Sequence, residues 1–183
     1  MQNRYSGIGS RQTPQDILNK MTEIASFLER KNYILCSGGA VGADSAFEKG
    51  VKNPDMKRIF LPWLKFNGND SPFHTISEDA MKLAKEFHPS WYRLSPYAKK
   101  LIARNGYQVL GGDLNSPVDF IICYTLNGKA VGGTGQALRI AKQYNIPVYN
   151  LYFKEKIDQI DSWMNTGEIF HLKNVRIKSW KLM

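Results

Sequence analysis

Cysteine and histidine are scarce in this sequence. There are two cysteines, Cys36 and Cys123, and three histidines, His74, His88 and His171. Both cysteines stand in apolar, strand-like runs, which excludes a disulfide framework and reads them as buried thiols of a reducing compartment. The histidines are isolated from one another and read as structural or exposed. No HxH, HExxH or CxxC pattern occurs, so no metal site is expected and no cofactor is required. No GxSxG elbow or Cys–His pairing is present to supply a nucleophile. No run of roughly 18 apolar residues occurs, so no membrane span is expected. The opening stretch, MQNRYSGIGSRQTPQD, lacks the apolar segment of a secretory leader, and the cytoplasm is the expected location.

What the chain does have is a core and a positive charge. Its 183 residues are the size of one domain, and 43% of them are apolar and spread along the chain. The formal net charge of +9 favours acidic partners such as nucleic acid, nucleotides or phosphates. The basic residues are scattered, with small concentrations at Lys99, Lys100 and Arg104 and in the tail from Lys173 to Lys181. A solvated basic surface explains this charge as well as a ligand does.

Strands and helices alternate. Strands are expected over Arg4 to Gly9, Tyr33 to Cys36, Lys57 to Leu61, Val118 to Thr125 and Pro147 to Leu151. A first helix should start with Thr13 as N-cap, Pro14 at its first position and Asp16 in its first turn. Further helices are expected over Ala43 to Lys49 with Gly50 as C-terminal cap, and over Ile76 to Phe87, Pro96 to Val109, Gln136 to Tyr144 and Ile157 to Met164. Residues 62–75 read as a long loop, a lid or a platform for a base. The fold class that follows is α/β: a Rossmann-like, doubly wound, mainly parallel sheet with helices on both faces. Residues 1–183 make one domain, with 167–183 as a C-terminal extension.

Three glycine-bearing turns fall at the carboxyl ends of strands, where such sheets bind ligands. The first holds Gly7, Gly9, Ser10 and Arg11. The second holds Ser37, Gly38, Gly39 and Gly42, with Asp44 in the helix that follows. The third holds Gly132, Gly133, Thr134 and Gly135, with Gln136 opening the next helix. A glycine turn before a helix exposes unpaired backbone N–H groups at the positive end of the helix dipole, and an anion sits there without a dedicated side chain. One such turn is ordinarily just a turn. Three at the ends of one sheet make a shared phosphate pocket the better reading. None matches GxGxxG or GxxxxGK[ST], so ordinary ATP phosphotransfer is not indicated. Arg11 can pair with a phosphate or with a surface carboxylate. Asp44 is either a favourable charge at a helix start or an acceptor for a ribose hydroxyl. It is also the weak catalytic candidate. The catalytic residues are otherwise unknown. Arg104 and Asn105, taken alone, read as a solvated helix end.

These residues resemble a known family. YSGIGSRQTP followed by LCSGGAVGADSAFEKG is similar to the Rossmann-like core of the DprA/Smf DNA-processing proteins, where a G-S-R turn precedes a helix and an S-G-G/A-A-x-G-x-D-x-x-A segment. VGGTGQALRIAKQYNIPVYNL continues the likeness with a glycine turn, a helix and a strand entered through proline. The resemblance covers about residues 4 to 152. With LPW at 61–63, LSPYAKKLIARN and VDFIICYT, the chain looks most like the short DprA-like proteins often encoded by bacteriophages. The wider grouping is the SLOG superfamily. It includes the LOG-like nucleotide phosphoribohydrolases, whose PGGxGTxxE motif would place its paired glutamates at Leu138 and Arg139. Both carboxylates are absent here. Arg104 falls where the LOG proteins carry an arginine, which implies that it faces the pocket.

Three functions follow from the residues and the resemblance together. The leading one is binding of a nucleotide or nucleotide-derived small molecule, such as a signalling nucleotide, through the three turns. The alternative is single-stranded DNA binding of the DprA type through the same face. The third is LOG-like hydrolysis of a nucleotide N-glycosidic bond, with Asp44, Asp113 or Asp119 as the carboxylate. The resemblance also implies a homo-oligomer, a dimer or more.

Overall fold

The computed structural model describes residues 2–169. Five strands form one sheet: β1 (Arg4–Gly9), β2 (Ile34–Ser37), β3 (Lys57–Ile59), β4 (Phe120–Tyr124) and β5 (Val148–Asn150). Their order is β3-β2-β1-β4-β5, and every neighbouring pair is parallel. Six α-helices cover it: α1 (Gln15–Arg30), α2 (Ala43–Gly50), α3 (Glu78–Phe87), α4 (Pro96–Leu110), α5 (Gly132–Gln143) and α6 (Lys154–Thr166). This is the doubly wound, Rossmann-like α/β architecture that the alternation of elements predicts.

The period of two along each strand divides the interior into two cores. Tyr5, Leu35, Phe120, Ile122 and Tyr124 pack with Met21, Leu28, Phe47 and Trp163 of α1, α2 and α6. Ile8, Cys36, Ile121 and Cys123 pack with Ala103, Tyr107, Ala137 and Ile140 of α4 and α5. Strand β4 is buried along its whole length, as a strand sandwiched between helices on both faces must be. Burial pushes both thiols, Cys36 and Cys123, up to about 12, so neither ionises near neutral pH.

The winding places the site. From β1 the chain steps through β2 to β3 on one side. It then returns through α3 and α4 to β4 on the other side of β1. The order therefore reverses between β1 and β4, and a crevice opens at their carboxyl ends.

Several element ends differ from expectation, each for a local reason. Pro14, not Thr13, is the N-cap of α1, and the Thr13 hydroxyl instead donates to the Ser10 carbonyl at 2.7 Å. Gly50 is not a left-handed cap but the last helical residue of α2. It lies so close to α1 that a Cβ there would overlap the Thr22 carbonyl. The third glycine stretch is not a turn before a helix: Gly132–Gly135 form the first turn of α5 itself. The loop at 62–75 is tied down rather than free. Asn67 donates to the Gly39 carbonyl at 3.0 Å, Asn69 to Glu48 at 2.9 Å, and the Ser71 hydroxyl to Ile59 at 2.6 Å. The expected start of α4 at Pro96 is observed, with Ser95 accepting from the Ala98 amide at 3.2 Å. Most of the 167–183 extension, with His171 and the basic tail, lies outside the described residues.

Candidate functional site

The crevice between β1 and β4 holds a cleft of about 590 Å³. Its walls come from the end of β1, the start of α2, the middle of α4 and the first turn of α5. The three glycine turns converge here, but they contribute unequally.

Gly9, Ser10 and Arg11 of the first turn line the cleft, and Arg11 is exposed. Gly7 does not. It lies under α2, where a Cβ would come within 2.6 Å of the Phe47 ring. In the second turn, Ala40 and Asp44 line the cleft. Ser37 is fully buried and donates to the Gly7 carbonyl at 2.7 Å, inside the sheet. Gly39 is roofed by the 62–75 loop, through Asn67. Gly42 adopts a positive φ of 87° so that the second turn can lie against the Ser10 carbonyl, 2.7 Å from where a Cβ would stand. Gly38 is the informative one: a Cβ at this position would overlap the Arg104 guanidinium. Its missing side chain is the space that Arg104 occupies.

The third stretch is the open wall. Gly132 and Gly133 are exposed, and Thr134 is half-buried at the rim. A Cβ on Gly132 would meet nothing within 4 Å, and one on Gly133 only the Asn105 amide at 3.8 Å. The N-cap is Val131, no side chain caps the helix, and no acidic residue sits in its first turn. The positive end of a 12-residue helix thus faces the cleft without a counter-charge. Gly135 is packed against Ala130 and does not line the cleft. Gln136 turns inward. Its amide donates to the Ala84 carbonyl at 3.0 Å and accepts from Arg139 at 2.8 Å, so it fastens α5 to α3.

Helix α4 supplies the floor. Arg104 and Asn105 are buried mid-helix, not a solvated helix end. The Asn105 amide donates to the Gly133 carbonyl at 2.8 Å and so holds the open turn of α5 in place. Arg104 lies 3.5 Å from the Asp44 carboxylate and 5.7 Å above the Phe66 ring. The Ala40 amide also donates to Asp44, at 3.4 Å. Burial raises the Asp44 carboxyl above its ordinary value despite Arg104 and the amides that lower it. Burial likewise lowers the Arg104 guanidinium, and the charge of Arg11 lowers it further. Two guanidinium groups, Arg104 and the exposed Arg11, therefore line a cleft whose one carboxylate is Asp44. The Arg104 Nε is buried without a hydrogen-bond partner among the described residues. Of the three carboxylates considered for chemistry, Asp44 alone lines the cleft. Asp119 accepts from the Arg4 amide at the opposite end of the sheet, and Asp113 closes a turn beyond α4.

Among the lining residues that the sequence does not point to are the polar Gln12, His88, Gln108 and Thr125. Gln108 has a signal, since it lies one helical turn after Arg104 on the same face. His88 has none, because it reaches the cleft from the segment after α3. No group of three or more His, Cys, Asp or Glu side chains able to hold a metal occurs among the described residues. No helix among them is long and apolar enough to cross a membrane.

No family model matches the sequence, and no curated protein matches it. A solved structure does. DNA processing protein A from Helicobacter pylori aligns with 90% of this chain over 79% of its own, at 18% identity and a TM-score of 0.58. That structure was described for its single-stranded DNA binding mode. The fold of this chain is therefore a DprA-like Rossmann fold.

Proposed function

We propose that this protein binds single-stranded DNA, with a nucleotide unit of the strand seated in the cleft between β1 and β4. The single observation that carries this is the unbalanced positive charge of the cleft. Arg11, the buried Arg104 with its unpartnered Nε, and the uncapped start of α5 line a cleft that holds one carboxylate, Asp44. An anion with several acceptor oxygens, such as a phosphodiester, answers all three. The fold shared with a DNA-binding protein supports the same partner, and the net charge of +9 is of the required sign. Anisotropy of a labelled oligothymidylate tests it: affinity should fall steeply with salt and exceed that for duplex of the same length. Absence of binding at low salt would refute it.

The cleft's size favours a second reading, a free nucleotide or nucleotide-derived signal. About 590 Å³ is the scale of a small-ligand pocket rather than of an open track. A mononucleotide that raises the melting temperature by mass action would support it. An effect confined to oligonucleotides would dismiss it.

A further inference from the structure

A second concave site lies beside the cleft. It has a volume of about 400 Å³ and is formed by the face of α3 and the residues that follow it. Lys82, Lys85 and Glu86 come from α3; His88, Trp91 and Tyr92 come from the segment leading to α4. His88 lines both this site and the cleft, so the two are neighbours.

Its chemistry is that of a platform for a base next to a phosphate. Tyr92 is 82% exposed, which packing does not account for. The Lys85 ammonium sits 5.3 Å above its ring, and Lys99 sits 5.5 Å above the ring of Trp91. Lys82 is paired with Asp79 at 3.0 Å, and Glu86 is the one acidic residue of the lining. His88 is held towards its neutral form by burial and by the nearby Arg139. A neutral imidazole offers a flat face without adding charge to the wall. An exposed aromatic ring with one lysine over it, and a second lysine over the neighbouring buried Trp91, has the combination of ring face and cation on which sequence-independent single-strand binders hold successive bases.

We propose that Tyr92, Lys85 and Lys99 form a second nucleotide-binding subsite, which takes the bases of single-stranded DNA that run out of the cleft past His88. The subsite rests on the DNA-binding reading. It makes the bound strand cross from the end of β1 over the α3–α4 corner, instead of leaving past the loop at 62–75.

The test uses two oligothymidylates, a dinucleotide that fills only the cleft and a strand of about 20 nucleotides that also reaches the subsite. Tyr92→Ala should weaken the long strand about tenfold and leave the dinucleotide unchanged. Tyr92→Phe should retain most of the affinity, since stacking needs the ring and not the hydroxyl. Lys85→Ala should lower the salt slope of the long strand by about 0.7. Equal long-strand affinity in the wild type and Tyr92→Ala overturns the subsite alone. Loss of long-strand binding in Gly133→Asp but not in Tyr92→Ala likewise overturns the subsite and leaves the cleft standing. A wild-type protein that binds neither oligonucleotide overturns the DNA-binding reading and the subsite with it. Tyr92 is exposed, so its variants are expected to fold.

Discussion

Arg104 of α4 and Asp44 of α2, 60 positions apart in the chain, meet at 3.5 Å beneath the cleft. The contact exists because Gly38, at the end of β2, has no side chain where the guanidinium lies. The pair joins the helix that floors the cleft to the helix that follows its second glycine turn. Two charges removed from water in this way are costly unless each has the other. The ion pair therefore locks the site's geometry more than it adds to stability.

Gly38→Ala should evict Arg104 from its position. The expected loss is about 2 kcal/mol of folding stability, read by denaturant melts, as an overpacked buried site suggests. Oligonucleotide binding should fall with it. A stable variant with an unchanged site would mean that Arg104 does not need this space.

Asp44→Asn gives a pH signature. The folded protein raises the Asp44 carboxyl above the 3.8 of the unfolded chain, because burial outweighs its favourable partners. A raised acid holds its proton longer when folded. Its contribution is then full below pH 3.8 and is lost as the pH rises through the folded value. The wild type should lose stability relative to Asp44→Asn as the pH climbs. Thermal melts of both proteins across that range check the sign, and a wild type that gains stability relative to the variant would reverse the assignment.

Gly50→Ala probes the scaffold without touching the site. A Cβ there would overlap the Thr22 carbonyl and lie 2.6 Å from the Ala25 Cβ. The two helices must move apart, at a cost of about 2 kcal/mol. Binding, measured well below the melting temperature, should be retained. A Gly50 that served only as a helix cap would tolerate the change far better.

Much of this fold is legible in the sequence, and the limits have physical causes. The first two glycine stretches stand at strand ends as expected, because those boundaries carry local signals, whereas the third lies inside the first turn of α5. The apolar run at Val118 to Thr125 gives β4, and Ser95-Pro96 gives the start of α4. What the glycines are for is not legible. Gly7, Gly38 and Gly50 answer to Phe47, Arg104 and Thr22, which lie far away in the chain, and no local pattern reports such contacts. Gln136, expected to open the helix as a ligand-facing residue would, is the fifth residue of α5 and faces α3, because helix rotation is set by the whole core. Arg104 looks solvated by position, and only the family resemblance points it inward. The loop at 62–75 reads as a lid by composition, but its asparagines are the residues that tie it down.

Gly133→Asp separates folding from binding. The position is exposed, and a Cβ there meets only Asn105 at 3.8 Å. A carboxylate in the first turn of a helix is favourable by up to about 1 kcal/mol, so the melting temperature should hold or rise slightly. The same carboxylate occupies the place proposed for the phosphate and repels it.

The most direct measurement is a salt titration of oligothymidylate binding to the wild type and to Gly133→Asp, with both melting temperatures recorded. The account predicts tight wild-type binding whose logarithm falls with log salt at about 0.7 per phosphate contact. It predicts roughly a tenfold loss or more in Gly133→Asp with no loss of stability. Equal affinity in the two proteins would contradict it, and would take the nucleic acid away from the cleft between β1 and β4.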